Sequence, residues 1–180
     1  MVNMKRNKYI LLCGVSGSGK SHYSKELAAQ IGATIVSSDD IRREITGSQS
    51  DMSKDGYMWN HIIPQRIRSA LLKGNCIMDS CAYYRKARKP LIEYGMEMDA
   101  WIEAHYFEND LARAIKQNQL RERVVPLEVL ERQSARWVTP TMDEGFDLIL
   151  NIDKEKRDLE EKRKIALDEL TQHTQALEIY

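Results

Sequence analysis

The residues with the plainest chemical meaning lie near the start of the chain. Gly14-Val15-Ser16-Gly17-Ser18-Gly19-Lys20-Ser21 satisfies G-x-x-x-x-G-K-[ST] in full. Glycines let a backbone curl until successive N–H groups converge on one anion. A helix beginning there adds the partial positive charge of its amino terminus. In such a loop Lys20 reaches the β and γ phosphates of a nucleoside triphosphate, and the Ser21 hydroxyl ligates Mg²⁺. The pattern predicts a site for a nucleoside triphosphate with magnesium. The stretch holds no G-x-G-x-x-G, so a dinucleotide site is not indicated.

Other positions suit phosphoryl transfer. Asp39 follows a second apolar run, with Arg42 three residues on, so both project to one side if the segment is helical. A carboxylate there can take the proton of an attacking hydroxyl, and the arginine can hold an acceptor phosphate or steady the carboxylate. Helix capping by Asp39 or Asp40 is the plainer alternative. Asp79 closes the apolar run Cys76-Ile-Met-Asp79, which suits a group acting on magnesium or its waters, with a turn-starting aspartate as the alternative. Arg121 and Arg123 fall in a stretch too polar for a core. A lid there would bring an arginine onto developing charge, although a solvated charged turn has the same composition.

These residues need elements to hold them. Short apolar runs predict strands over Tyr9–Cys13, Ala33–Val36, Cys76–Asp79, Ala100–Phe107 and Phe146–Leu150. Helical patterns lie between them: Lys20 to Ile31, stopped by Gly32; a short helix after Asp39 or Asp40; Tyr57 to Leu72, broken or kinked at Pro64; and Tyr84 to Tyr94, interrupted by Pro90. Asn109 and Asp110 can cap a helix through Gln117, and Pro126 opens another. Gly47 to Asp55 reads as a surface loop. Strand–helix alternation predicts an α/β fold with a five-stranded parallel sheet, helices on both faces and a short lid at about 118–125. Ligands of such folds bind at the carboxyl ends of the strands, where the glycine-rich loop falls.

The expected division is a kinase-type domain over 1–152 and a charged amphipathic helix over 153–180, packed on the same domain. Self-association through that helix is the alternative. Its seam of Leu159, Ala166, Leu170 and Leu177 is interrupted by Arg163 and His173. The 180 residues suit one domain, and 42% apolar with 30% charged residues decides against disorder. Lys+Arg 27 against Asp+Glu 27 gives zero formal charge, so a polycation coating nucleic acid is not expected, while a local basic groove is allowed. No membrane span or signal peptide is expected, and three cysteines (Cys13, Cys76, Cys81), an odd number, suit a reducing cytoplasm. The spacing of Cys76 and Cys81 does not suit zinc, and the four histidines show no ligand spacing. Arg85-Lys-Ala-Arg-Lys89, four basic and no acidic residues, could touch nucleic acid phosphates with Tyr83 and Tyr84 stacking beside it, or form a solvated helix face.

The chain resembles the kinase domain of phage-type polynucleotide 5′-hydroxyl kinases, within the P-loop kinases. Four blocks carry the resemblance over residues 8 to about 137. They are Gly14 to Ser21; Ser38-Asp-Asp-Ile-Arg42; Met78-Asp79-Ser80; and Lys116-Gln-Asn-Gln-Leu-Arg121 through Val125-Pro-Leu-Glu-Val-Leu130. It implies that Asp39 is the general base, that Arg42 binds the acceptor-side phosphate, and that Asp79 is a further required carboxylate. It also implies that Arg121 is the lid arginine, and that Val125, Pro126 and Val129 form a wall for the terminal base. ATP and Mg²⁺ are implied as donor and metal, and a 5′-OH polynucleotide as acceptor. The lid is one residue shorter than in the family, so Arg123 could replace Arg121. Gln117 stands where a second lid arginine is expected, and Ser80 where threonine is familiar. Other outcomes open to the same residues are a kinase of a small-molecule or modified-base hydroxyl, and a non-catalytic nucleotide-binding module.

Overall fold

The computed structural model describes residues 6–121 and 123–177, with side chains described as far as Leu167. Strands β1 (Lys8–Cys13), β2 (Ala33–Ser37), β3 (Asn75–Asp79), β4 (Trp101–Tyr106) and β5 (Leu148–Asn151) form one sheet in the order β2-β3-β1-β4-β5. Every pairing is parallel. The helices are α1 (Lys20–Ile31), α2 (Ser38–Thr46), α3 (Asp55–Tyr57), α4 (Ile63–Lys73), α5 (Arg85–Glu97), α6 (Leu111–Asn118), α7 (Leu127–Ala135) and α8 (Ile152–Leu177).

The near-continuous apolar run of β1 is what a strand covered on both faces requires. Tyr9, Leu11 and Cys13 point into one core with Ile63, Ile67 and Leu71 of α4 and Leu91 and Ile92 of α5. Ile10 and Leu12 point the other way and meet Tyr23, Leu27 and Ile31 of α1. The expected five-stranded parallel sheet with helices on both faces is therefore present. In its register Ser37 lies beside Asp79, and β1 ends at Cys13, so the ends of three strands converge on one rim.

The prolines act differently from each other. Before Pro64 the chain makes a π turn over Met58–Ile62, and Pro64 then occupies the first turn of α4, where its missing N–H costs nothing. Pro90 sits inside α5 without ending it. At the start of α8, Ile152 and Asp153 are buried, and Arg113 donates to both Asp153 oxygens at 2.7 and 2.8 Å. Residues 154–167 are exposed, so burial is confined to the first turn among the described side chains, while Arg157 still donates to both Glu108 oxygens at 2.9 and 2.8 Å. Leu170, His173 and Leu177 of the seam lie outside the described side chains. Among the described residues no helix is long and apolar enough to cross a membrane.

Candidate active site

The glycine-rich loop leaves the end of β1 and enters α1 through Gly19, whose φ of 97° is left-handed. The helix has no side-chain cap and no acidic residue in its first turn, so its positive end is not neutralised locally. At Gly17 (φ +78°) an added Cβ would meet the Ala114 carbonyl at 2.4 Å, so α6 can approach the loop this closely because the side chain is missing. The N–H groups of Gly17 and Gly19 have no acceptor among the described residues. The loop is otherwise braced: Gly14 N–H donates to the Cys81 carbonyl at 2.9 Å, and Ser16 N–H donates to Gln133 Oε1 at 2.8 Å. Lys20 is buried and folds back, donating from Nζ to the carbonyls of Gly14 (2.9 Å) and Val15 (2.7 Å).

The second motif sits on the next rim. Ser37, not Asp39 or Asp40, caps α2, accepting from Asp40 N–H at 3.2 Å. The Asp39 carboxylate is thereby released from capping and half exposed. Arg42 NH1 donates to its Oδ1 at 2.8 Å, while Arg42 Nε and NH2 donate to Asp55 at 2.7 and 3.1 Å. Burial pulls the Arg42 guanidinium down, but hydrogen bonds and charge from Asp55 and Asp39 outweigh it and hold it above its ordinary value. Of the two roles open to Arg42 in the sequence, the geometry matches the clamp on the carboxylate.

Asp79 ends β3, is buried, and has Ser24 Oγ 3.4 Å from its Oδ2. Burial pushes its carboxyl above the ordinary carboxylate range; Lys20 and a hydrogen bond from Ser21 pull against that, and the charge on Asp39 adds to it. A cavity of about 220 Å³ brings these groups together. Its walls include Gly17, Gly19, Lys20, Ser21, Asp39, Asp79 and Arg121. Ser21 and Asp79 fit a magnesium ion held by few protein oxygens, with phosphate and water supplying the rest. Among the described residues no cluster of three carboxylate, histidine or cysteine groups offers an all-protein metal cage.

Arg121 and Arg123 both line a shallow outer cavity with Arg43 and Ser50, but their inner contacts differ. Arg121 lines the phosphate-loop cavity, whereas Arg123 donates to Ser50 Oγ at 2.9 Å and lies 3.6 Å from Asp39 Oδ2. Val125 is buried, its backbone bonded both ways to the Asn118 amide, and Pro126 is exposed. Neither these residues nor Val129 line the phosphate-loop cavity or the aromatic cavity beside it.

The aromatic cavity, of about 540 Å³, lies across Ser80 and Cys81, which line both spaces. Trp59, Tyr83, Tyr84 and Tyr94 form its rings, with Arg42 and Asp55 at its polar side. Tyr83 and Tyr84 were available from the sequence; Trp59, Tyr94 and Asp55 were not, because they come from separate segments that meet only in the fold. The basic stretch beside them divides, with Lys86 and Lys89 exposed and its two arginines paired. Arg88 is fully buried against Glu144, and Arg85 pairs with Asp143, so both charges are neutralised.

The model of a protein family described as AAA domain matches residues 10–140. No curated protein matches the chain. Among solved structures it is similar to one from the Pnkp1/Rnl/Hen1 RNA repair complex, with 18% identity and a TM-score of 0.66 over 75% of this chain and 45% of that one. The chain thus spans less than half of that neighbour's length. It is also similar to a gluconokinase from Sinorhizobium meliloti (18% identity, TM-score 0.52, covering 82% of this chain and 84% of that one). A sugar kinase from a Janibacter species is similar too (18% identity, TM-score 0.59, covering 90% and 95%). At these identities the likeness speaks for a shared P-loop kinase fold.

Proposed function

The chain belongs to that AAA domain family, and from this premise we propose an ATP-dependent phosphotransferase that moves the γ-phosphoryl group to a hydroxyl, the 5′-OH end of a polynucleotide. The observation that carries the reading is the setting of Asp39. Its carboxylate is spared from capping, clamped by Arg42, and shares one cavity with Lys20, Ser21 and Asp79. A site built for binding alone would not need a half-exposed carboxylate held beside its phosphate loop.

The loop amides and the open end of α1 hold phosphate oxygens, and Lys20 leaves the Gly14 and Val15 carbonyls to reach the β and γ phosphates. Asp39 orients the acceptor hydroxyl and takes its proton as the oxygen bonds to phosphorus; the bond to the bridging oxygen breaks and ADP leaves. Arg121, on the cavity wall, balances charge on the moving group. Ser21 and Asp79 would hold Mg²⁺, directly or through water, and the ion would neutralise phosphate charge. Arg42 acts on the acceptor through Asp39.

The test is a panel of acceptors with labelled ATP: 5′-OH DNA and RNA oligonucleotides, nucleosides and sugar acids. Label on oligonucleotide 5′ ends is the expected result, and Asp39→Asn should lower turnover about 10²–10⁴-fold with ATP affinity retained. Equal loss of binding and turnover would overturn the base assignment. A second reading, transfer to a small-molecule hydroxyl, is favoured by one feature: Arg42 is buried and commits Nε, NH1 and NH2 to Asp55 and Asp39, which leaves it little to offer an acceptor phosphate. Label on a small metabolite with oligonucleotides unlabelled would establish it instead.

A further inference from the structure

We infer that the aromatic cavity holds the nucleobase of the acceptor's reacting nucleotide, an inference that rests on the polynucleotide reading above. The cavity is about 540 Å³, large enough for a base with its sugar. Its rings come from three segments: Trp59 from the π turn, Tyr83 and Tyr84 from the loop after β3, and Tyr94 from α5. Two of them are packed from other directions. The Arg136 guanidinium lies 4.9 Å from the centroid of the Tyr84 ring, and that of Arg68 5.4 Å from Tyr94. Trp59 leans on the main core. Rings braced in this way keep aromatic surface toward an open space, and a base stacks on such surface whatever its identity.

The location connects this cavity to the chemistry. Ser80 and Cys81 form the partition between it and the phosphate-loop cavity. Ser80 is only 5% exposed, and its Oγ has no hydrogen-bond partner in the protein, although a buried hydroxyl ordinarily has one. An acceptor whose sugar crosses the partition would supply that bond. Arg42 lines the aromatic cavity while its NH1 holds Asp39 in the other, so the residue that clamps the base carboxylate is also part of the proposed pocket. Val125, Pro126 and Val129, the wall expected from the family resemblance, line neither space.

The experiment compares, in the wild-type chain, two 5′-OH oligonucleotides that differ by the presence or absence of the base on the 5′-terminal nucleotide. The abasic acceptor should show a KM about 10-fold or more higher, with the affinity for ATP unchanged. Tyr84→Ala should erase most of that difference, and Trp59→Phe, which keeps a ring, should preserve it. Equal KM values for the two acceptors would overturn the inference while leaving the polynucleotide reading intact. So would a difference that survives Tyr84→Ala but is removed by Val129→Ala. If neither oligonucleotide is phosphorylated while a small hydroxyl compound is, the polynucleotide reading falls and takes this inference with it.

Discussion

Arg42 and Arg88 are both nearly withdrawn from water, and each is gripped by a carboxylate through two nitrogens. Arg88 donates to Glu144 at 2.7 and 2.8 Å, and its NH1 reaches the carbonyls of Ala82 and Val138. Both side chains of that pair are shut off, at 0% and 2% exposure. Arg42 makes the same grip on Asp55, but its third nitrogen holds Asp39, and the two carboxylates stay 27% and 39% exposed. A closed pair of this kind ties chain segments together: Glu144 comes from the 3-10 turn Met142–Glu144, Ala82 from the loop after β3. An open pair fixes the direction of a carboxylate that water and ligands can still reach. Burial of an arginine alone therefore says little about its role; the exposure of its partners separates the two.

That contrast can be broken by mutation. Arg88→Ala leaves the Glu144 carboxyl enclosed without its partner, so it should cost about 3–5 kcal/mol of unfolding free energy in a urea titration, with activity per folded molecule largely kept. Arg42→Ala leaves two carboxylates that water can reach, and a smaller loss of about 1.5–3 kcal/mol is expected. Turnover, however, should fall more than about tenfold if Asp39 is the general base proposed above. If Arg42→Ala destabilises as much as Arg88→Ala and spares turnover, the two arginines do the same job and the distinction fails.

The smallest effect is expected at Asp79. Burial raises its carboxyl pKa, so the folded state binds the proton more tightly than the unfolded chain. Its contribution to stability is then greatest at acid pH and falls as pH rises through the raised value. Asp79→Asn should therefore raise the melting temperature at neutral pH, by less than either arginine variant lowers it, and the gain should vanish below the ordinary carboxyl value of 3.8. Phosphotransfer should fall in the same protein, the usual exchange at a site whose charge is held against burial. A melting curve unchanged by the substitution at neutral pH would show that Asp79 carries no such strain.

Much of the fold was legible because its signals are local. The β1 run, the glycine loop and the stop at Gly32 each depend on neighbours a few residues away, and all five strands fall within two or three residues of expectation. The release of Asp39 was harder to read, since Ser37, Asp39 and Asp40 can all cap and the choice rests on where β2 ends. The role of Arg42 depended on Asp55, thirteen residues on across a loop. The basic stretch was only partly legible for a related reason: the acids that pair with Arg85 and Arg88 arrive from Asp143 and Glu144, more than fifty residues later.

The sequence by itself determined that a polyphosphate site exists and where along the chain it lies. Loop curvature, helix polarity and a lysine at fixed spacing are short-range properties, written within eight residues. Only the tertiary structure decided which carboxylates stay open, which arginines are spent on anchoring, and which rings share a cavity. Those outcomes depend on desolvation and on partners brought together from distant segments, and neither quantity is carried by spacing along a chain.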